Sequence, residues 1–173
     1  ETALVMEIAY NDGYLLRHFV EANIPVLGVD PAIAPAEIAR NKNVPTETLF
    51  FGSEASLMLL ETYGAADLMV ANNVLAHVPD INDFLSGFGI LLKDTGAITF
   101  EFPHVLNLLE GTQFDTIYHE HYSYLSLHSV EICLFKHGLK VFDVEELTTH
   151  GGSLRLWVCN SSDPRTTGPG LEI

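Results

Sequence analysis

Tyr118-His119-Glu120-His121 sets a phenol, two imidazoles and a carboxylate in four consecutive positions, and a further imidazole, His77, stands between two apolar segments. An imidazole gains and loses its proton near neutral pH. Held against a substrate it can take a proton from carbon or oxygen, a contribution of about 100- to 10,000-fold in rate. Neighbouring side chains of an extended segment face opposite ways, so either His119 or His121 can be the inward one. Two histidines two apart also share a face that suits a metal. No third ligand has a readable spacing, however, and the HExxH register of zinc proteases is missing, so no metal site is expected.

A second group of chemistry-bearing residues begins at Glu7-Ile8-Ala9-Tyr10-Asn11-Asp12-Gly13. Gly13 permits a tight turn, and Asn11 and Asp12 tolerate unusual backbone angles. A dinucleotide fold wants GxGxxG here, so that the backbone can approach a pyrophosphate. This stretch has one glycine and two acids. Glu7 and Asp12 would repel a pyrophosphate but suit a ligand with sulfonium and ammonium groups, and S-adenosylmethionine is such a ligand. Asp30, 23 positions after Glu7, is placed to accept hydrogen bonds from two ribose hydroxyls. Phe51-Gly52 offers an aromatic face and a close backbone to an adenine ring, or else Phe50 and Phe51 are simply core.

The elements that must position these groups alternate between short β-rich apolar runs and stretches of helical period, which predicts βαβ units and a Rossmann-like, mostly parallel sheet. Strands are expected over Leu4 to Ala9, Pro25 to Val29, Thr46 to Phe50, Asp67 to Ala71 and Ala97 to Phe102. Helices are expected over Tyr14 to Ala22, Pro35 to Lys42, Ser53 to Tyr63 with Ser53 as cap, Asn82 to Leu92 with Asp80 or Asn82 as cap, and Leu127 to His137. Ligands of such sheets sit outside the carboxyl ends of the strands. Ala9, Pro31, Asn72 and Asn73, at the ends of strands one, two and four, therefore join the cofactor set. Pro103 to Tyr124 reads as an active-site excursion, and Lys140 to Leu147 and Leu154 to Asn160 as an antiparallel hairpin at one edge. His104 is a candidate pocket residue, and Arg155 a candidate for a substrate contact or an interdomain ion pair.

Composition excludes several classes. The 173 residues fit one domain, with 47% hydrophobic and 18% charged residues. Eight Lys and Arg against 23 Asp and Glu give a net charge of −15, which disfavours a nucleic-acid surface and anchoring on anionic lipid. No run reaches the roughly 20 apolar residues of a membrane span. Cys133 and Cys159 show no CxxC spacing, so a reduced, cytoplasmic setting is expected. Glu1 in place of an initiator Met suggests a piece of a longer chain, and 161–173 reads as a linker or the truncated start of another domain, leaving 1–160 as the core.

Strand four running into Ala71-Asn72-Asn73-Val74-Leu75-Ala76-His77-Val78-Pro79 contributes to a wider pattern. With Glu101-Phe102-Pro103-His104, the run Gln113 to Ser126, Phe142-Asp143-Val144-Glu145 and His150-Gly151-Gly152-Ser153-Leu154-Arg155, the sequence resembles the class I S-adenosylmethionine-dependent sugar C-methyltransferases. The resemblance implies a seven-stranded sheet and methylation of a carbon next to the ketone of a nucleotide-linked keto-deoxyhexose. It implies His121 as base, Glu120 orienting an imidazole or a sugar hydroxyl, Tyr118 bonding the enolate or the sugar, and His77 as a second acid or base. Zinc is expected only in a cysteine-rich N-terminal domain outside this stretch, and a C-terminal α/β domain is likewise expected beyond it. Methylation of oxygen or nitrogen on another small molecule, or a non-catalytic cofactor-binding remnant, stand as alternatives.

Overall fold

The computed structural model describes residues 3–171. Among them seven strands form one sheet in the order β3-β2-β1-β4-β5-β7-β6. These are β1 (Val5–Ile8), β2 (Val26–Val29), β3 (Thr46–Glu47), β4 (Ala66–Asn72), β5 (Leu92–Pro103), β6 (Leu139–Leu147) and β7 (Ser153–Asn160). The first five run parallel to one another, whereas β7 is antiparallel to both β5 and β6. The hairpin at the edge is therefore present, with its second strand on the inside. Chain order reverses between β1 and β4, and a crevice at the carboxyl ends of these strands follows from that switch.

Central parallel strands are covered on both faces, which is why β1 and β2 are buried throughout and apolar except for Glu7. The layers are completed by the helices α1 (Leu16–Glu21), α2 (Ile33–Asn41), α3 (Ser53–Tyr63), α4 (Ile81–Leu91), α5 (Val105–Glu110) and α6 (Leu127–Lys136). Asp80 caps α4, its Oδ1 accepting from the Asn82 and Asp83 N–H groups at 3.1 and 3.0 Å. Ser53 does not cap α3. Gly52 holds that position, and the Ser53 hydroxyl donates to Asp83 instead. On the apolar face of α4, Phe84 and Phe88 meet Phe51 and Phe100 edge to face, an arrangement favoured by the aromatic quadrupole. Phe51 thus packs against the core, while Phe50 is 84% exposed and β3 stops before reaching it.

Tyr10, where a small residue would be usual in the turn after β1, is 1% exposed. Its ring lies on Gly28 of β2 and its hydroxyl donates to Thr46 Oγ1 at 2.7 Å. A β-carbon on residue 28 would stand 2.7 Å from that ring. Gly28→Ala is expected to destabilise the fold by about 1–3 kcal/mol, read as a lower urea midpoint at unchanged slope. An unchanged midpoint would show that the ring moves freely.

Residues 161–171 are not an open tether. Arg165 pairs with Asp163 at 2.7 Å, donates to the Thr95 and Gly96 carbonyls at 2.9 and 3.1 Å, and lies over the Phe142 ring at 4.8 Å. The Gly168 N–H then donates to the Phe142 carbonyl at 2.6 Å, and the Gly170 N–H to Asp143 Oδ1 at 2.9 Å. The segment is a strap along β6, the edge strand. Among the described residues no helix is long and apolar enough to cross a membrane.

Candidate functional site

Two cavities open at the carboxyl ends of the central strands. The first, of about 330 Å³, is walled by the ends of β1, β2 and β4 and includes Glu7, Ala9, Asn11, Asp30, Asn72 and Asn73. Tight curvature is built into its backbone. Ala9 (φ 57°), Asn11 (φ 57°) and Asn73 (φ 54°) adopt left-handed conformations that β-carbon-bearing residues adopt at a cost, so the surrounding structure must hold them. The Ala9 N–H donates to the Val29 carbonyl at 2.8 Å, and the Asn73 N–H to the Glu101 carbonyl at 2.7 Å.

This wall is rich in acceptors. Asp30 is 6% exposed; its Oδ2 accepts from the Asn11 N–H at 3.2 Å and its Oδ1 from the Ala32 N–H at 2.8 Å, which fixes the carboxylate and leaves further lone pairs. Glu7 is 3% exposed, and its Oε2, like the Oδ1 atoms of Asn72 and Asn73, is buried without a protein partner among the described residues. Burial pushes the Glu7 carboxyl up to about 8. Among the described residues no lysine or arginine lines the cavity. Orphaned acceptors without a cation fit a ligand that brings hydroxyls and positive charge, and reject one that brings phosphates.

Several expected cofactor residues lie off this wall. Asp12 pairs with Lys42 at 2.5 Å, and that ammonium holds its carboxyl below the usual carboxylate range. Gly13 supplies the turn (φ 74°) and packs against Ala39 and Val44. Pro31 is exposed outside the cavity. Phe51 and Gly52 line another hollow, of about 410 Å³, next to the N-terminus of α3. Tyr14 and Val74 are on the Glu7 wall and carry no sequence signal that would have selected them.

The second cavity, of about 450 Å³, contains His77, His121 and Tyr118, and also Thr116, Asp115 and His150. The two cavities share Asn73 and His77. The excursion between β5 and α6 is fastened to the turn after β4, where the Tyr122 N–H donates to the Ala76 carbonyl at 2.8 Å. It is a turn and not an extended strand, with the His121 N–H donating to the Tyr118 carbonyl at 3.1 Å. That geometry decides which histidine is inward. His121 lines the cavity, and His119 is exposed outside it.

Both imidazoles are held by main-chain carbonyls. His121 Nδ1 lies 3.0 Å from the Thr116 carbonyl and His77 Nδ1 lies 3.2 Å from the Glu120 carbonyl. A carbonyl only accepts, so each Nδ1 carries a proton, and Nε2 is the nitrogen left to face a ligand. The rings stand 4.8 Å apart, and the Tyr118 ring lies 4.1 Å from His121 at a 35° tilt. Glu120 meets His77 only through its main-chain carbonyl; its side chain is exposed and does not line the cavity.

Arg155 forms ion pairs within the sheet. It pairs with buried Glu101 at 2.9 Å and with Glu145 at 3.3 Å across the β5-β7-β6 ladder. His104 lines neither cavity, and its N–H donates to the Gly152 carbonyl at 3.0 Å.

A family model described as a methyltransferase domain matches residues 1–144. Over 168 residues the chain is 36% identical to the C-methyltransferase NovU of Streptomyces niveus, covering 97% of this chain and 40% of that protein. The chain thus spans about two-fifths of the length of this curated relative. Among solved structures, a methyltransferase dependent on S-adenosylmethionine from Clostridium acetobutylicum superposes with a TM-score of 0.71 at 12% identity, over 97% of this chain and 85% of that one. The magnesium protoporphyrin IX methyltransferase ChlM of Synechocystis, solved with bound SAH, gives a TM-score of 0.70 at 16% identity, over 92% and 74%. These likenesses show the fold.

Proposed function

Because this chain belongs to the methyltransferase-domain family, we propose that it binds S-adenosylmethionine in the Glu7 cavity and methylates a carbon next to the ketone of a nucleotide-linked keto-deoxysugar in the His121 cavity. The observation that carries the reading is the junction at Asn73 and His77, where an acceptor-lined cavity with no lysine or arginine among its described residues meets one lined by two imidazoles whose Nδ1 atoms are held by main-chain carbonyls. NovU is named a C-methyltransferase, which favours carbon over oxygen or nitrogen as the acceptor atom. On this reading residues 1–160 form the core of a longer cytoplasmic enzyme of deoxysugar biosynthesis.

The bound cofactor supplies an electrophilic methyl group on a sulfonium. Glu7 receives the ammonium group, with the Asn72 and Asn73 carbonyls as further acceptors. Asp30, preset by two backbone N–H groups, receives the ribose hydroxyls. A carbon nucleophile requires loss of a proton from the carbon beside the ketone, and His121 Nε2 takes it. Charge then develops on the ketone oxygen, where the Tyr118 hydroxyl donates. His77, at the junction, keeps the reacting carbon aligned and assists proton movement.

Calorimetry with S-adenosylmethionine, followed by incubation with a thymidine-diphosphate-linked keto-deoxyhexose, tests the reading. The expected result is binding, then a mass gain of one methylene with the new methyl on carbon by NMR. Binding of NAD without S-adenosylmethionine, or a methyl found on oxygen, overturns it.

A further inference from the structure

The turn between β6 and β7 is strained and tightly clamped, and the reaction proposed for the two cavities makes no use of it. His150 has a left-handed backbone (φ 52°, ψ 35°) and is followed by Gly151 and Gly152 at φ 76° and 118°. Hydrogen bonds hold this shape from several sides. Thr149 Oγ1 donates to buried Glu101 at 3.3 Å, Ser153 Oγ to the Thr149 carbonyl at 3.1 Å, and Gln113 Nε2 to the Gly151 carbonyl at 2.8 Å. Glu101 is itself fixed by Arg155. Strain that survives only because neighbours over-determine it clusters at working sites.

What this clamp accomplishes is the presentation of His150 on the wall of the same cavity as His77 and His121. Among the described residues no lysine or arginine lines that cavity, so its donors to an acceptor's oxygens come from neutral or imidazole side chains. The Nδ1–H groups of His77 and His121 are committed to backbone carbonyls. The ring of His150 has no protein hydrogen-bond partner among the described residues, which leaves one donor and one acceptor nitrogen for a ligand.

We infer that His150 is a further acceptor-contacting residue, one that hydrogen-bonds an oxygen of the acceptor and so sets its ring against His121. The inference rests on the keto-sugar reading above. Two measurements test it. The first is the imidazole NMR spectrum of the chain saturated with S-adenosylhomocysteine, which prevents turnover, before and after addition of a thymidine-diphosphate-linked keto-deoxyhexose. Signals of His77, His121 and His150 should all shift, the last identified by its loss in His150→Gly. The second is kinetic. Glycine suits a left-handed backbone, so His150→Gly should keep or raise Tm and keep cofactor affinity, while kcat/KM for the sugar falls at least about tenfold. Shifts at His77 and His121 without one at His150, or kcat/KM retained within about twofold in the variant, overturn the inference alone. A variant with lowered Tm and weakened cofactor binding makes the turn structural and also overturns it. Silence of all three rings sinks the keto-sugar reading and this inference together.

Discussion

His121→Asn is expected to lower methyl transfer to the keto-sugar by about 100- to 10,000-fold, the range removed when a positioned general base is lost. The isotope readout is sharper than the rate. In deuterated water without cofactor turnover, the wild-type chain should exchange the proton on the carbon beside the ketone, and the variant should not. Cofactor affinity should be unchanged, because His121 does not line the Glu7 cavity. Asparagine keeps a polar group near the Thr116 carbonyl but has no lone pair able to take a proton near neutral pH. Tyr118→Phe keeps the ring at 4.1 Å from His121 and removes only the hydroxyl that stabilises the enolate oxygen, so it should slow exchange and transfer together without abolishing either. Exchange that persists in His121→Asn would assign the base elsewhere, with His77 next in order.

The second large effect is on stability. An unfolded Glu7 ionises near pH 4.5, whereas burial keeps the folded carboxyl protonated up to about 8. Between those values the native state binds more protons than the unfolded one, so stability falls as pH rises through the window and is level above it. Every tenfold difference in proton affinity between the two states is worth about 1.4 kcal/mol, so the full fall is on the order of 5 kcal/mol. Glu7→Gln carries a neutral group at every pH and should abolish this slope. Urea unfolding at pH 5, 6, 7 and 8 should give curves that converge at the acid end and separate toward pH 8, with the variant the more stable. Parallel curves would show that the carboxyl is ionised in the folded chain. The same group links pH to the cofactor: an ammonium beside Glu7 favours the carboxylate, so binding near neutral pH should release close to one proton, measurable from calorimetry in buffers of different ionisation enthalpy. In Glu7→Gln that release should vanish and affinity should fall about ten- to a hundredfold.

The parts of the site that lie on regular elements are legible in the sequence. Glu7, Asp30 and Asn72 stand at the carboxyl ends of strands that apolar runs announce, and the crevice at the strand switch follows from βαβ alternation. Residues whose partners lie far along the chain are not legible. Asp12 looks like a cofactor acid until Lys42, thirty positions later, takes it. Ser53 looks like a cap until Asp83 accepts its hydroxyl. Irregular segments carry no period from which orientation can be read. The choice between His119 and His121 therefore depends on a turn closed by Tyr118, and the backbone role of Glu120 is invisible to an argument from side chains. His150 enters the sequence reading only as part of a motif and without a role in the site, since a histidine before two glycines reads as ordinary turn composition.

One consequence of the strap along β6 concerns behaviour at high concentration. An outermost strand with free backbone groups invites a neighbouring molecule to add its own, the first step toward insoluble ribbons. Gly168 and Gly170 spend their N–H groups on Phe142 and Asp143 at the irregular point between Val141 and Asp143, and Arg165 anchors that cover from below. The chain thus lays its own segment over the middle of its outermost strand, at the point where a second molecule would otherwise begin to pair.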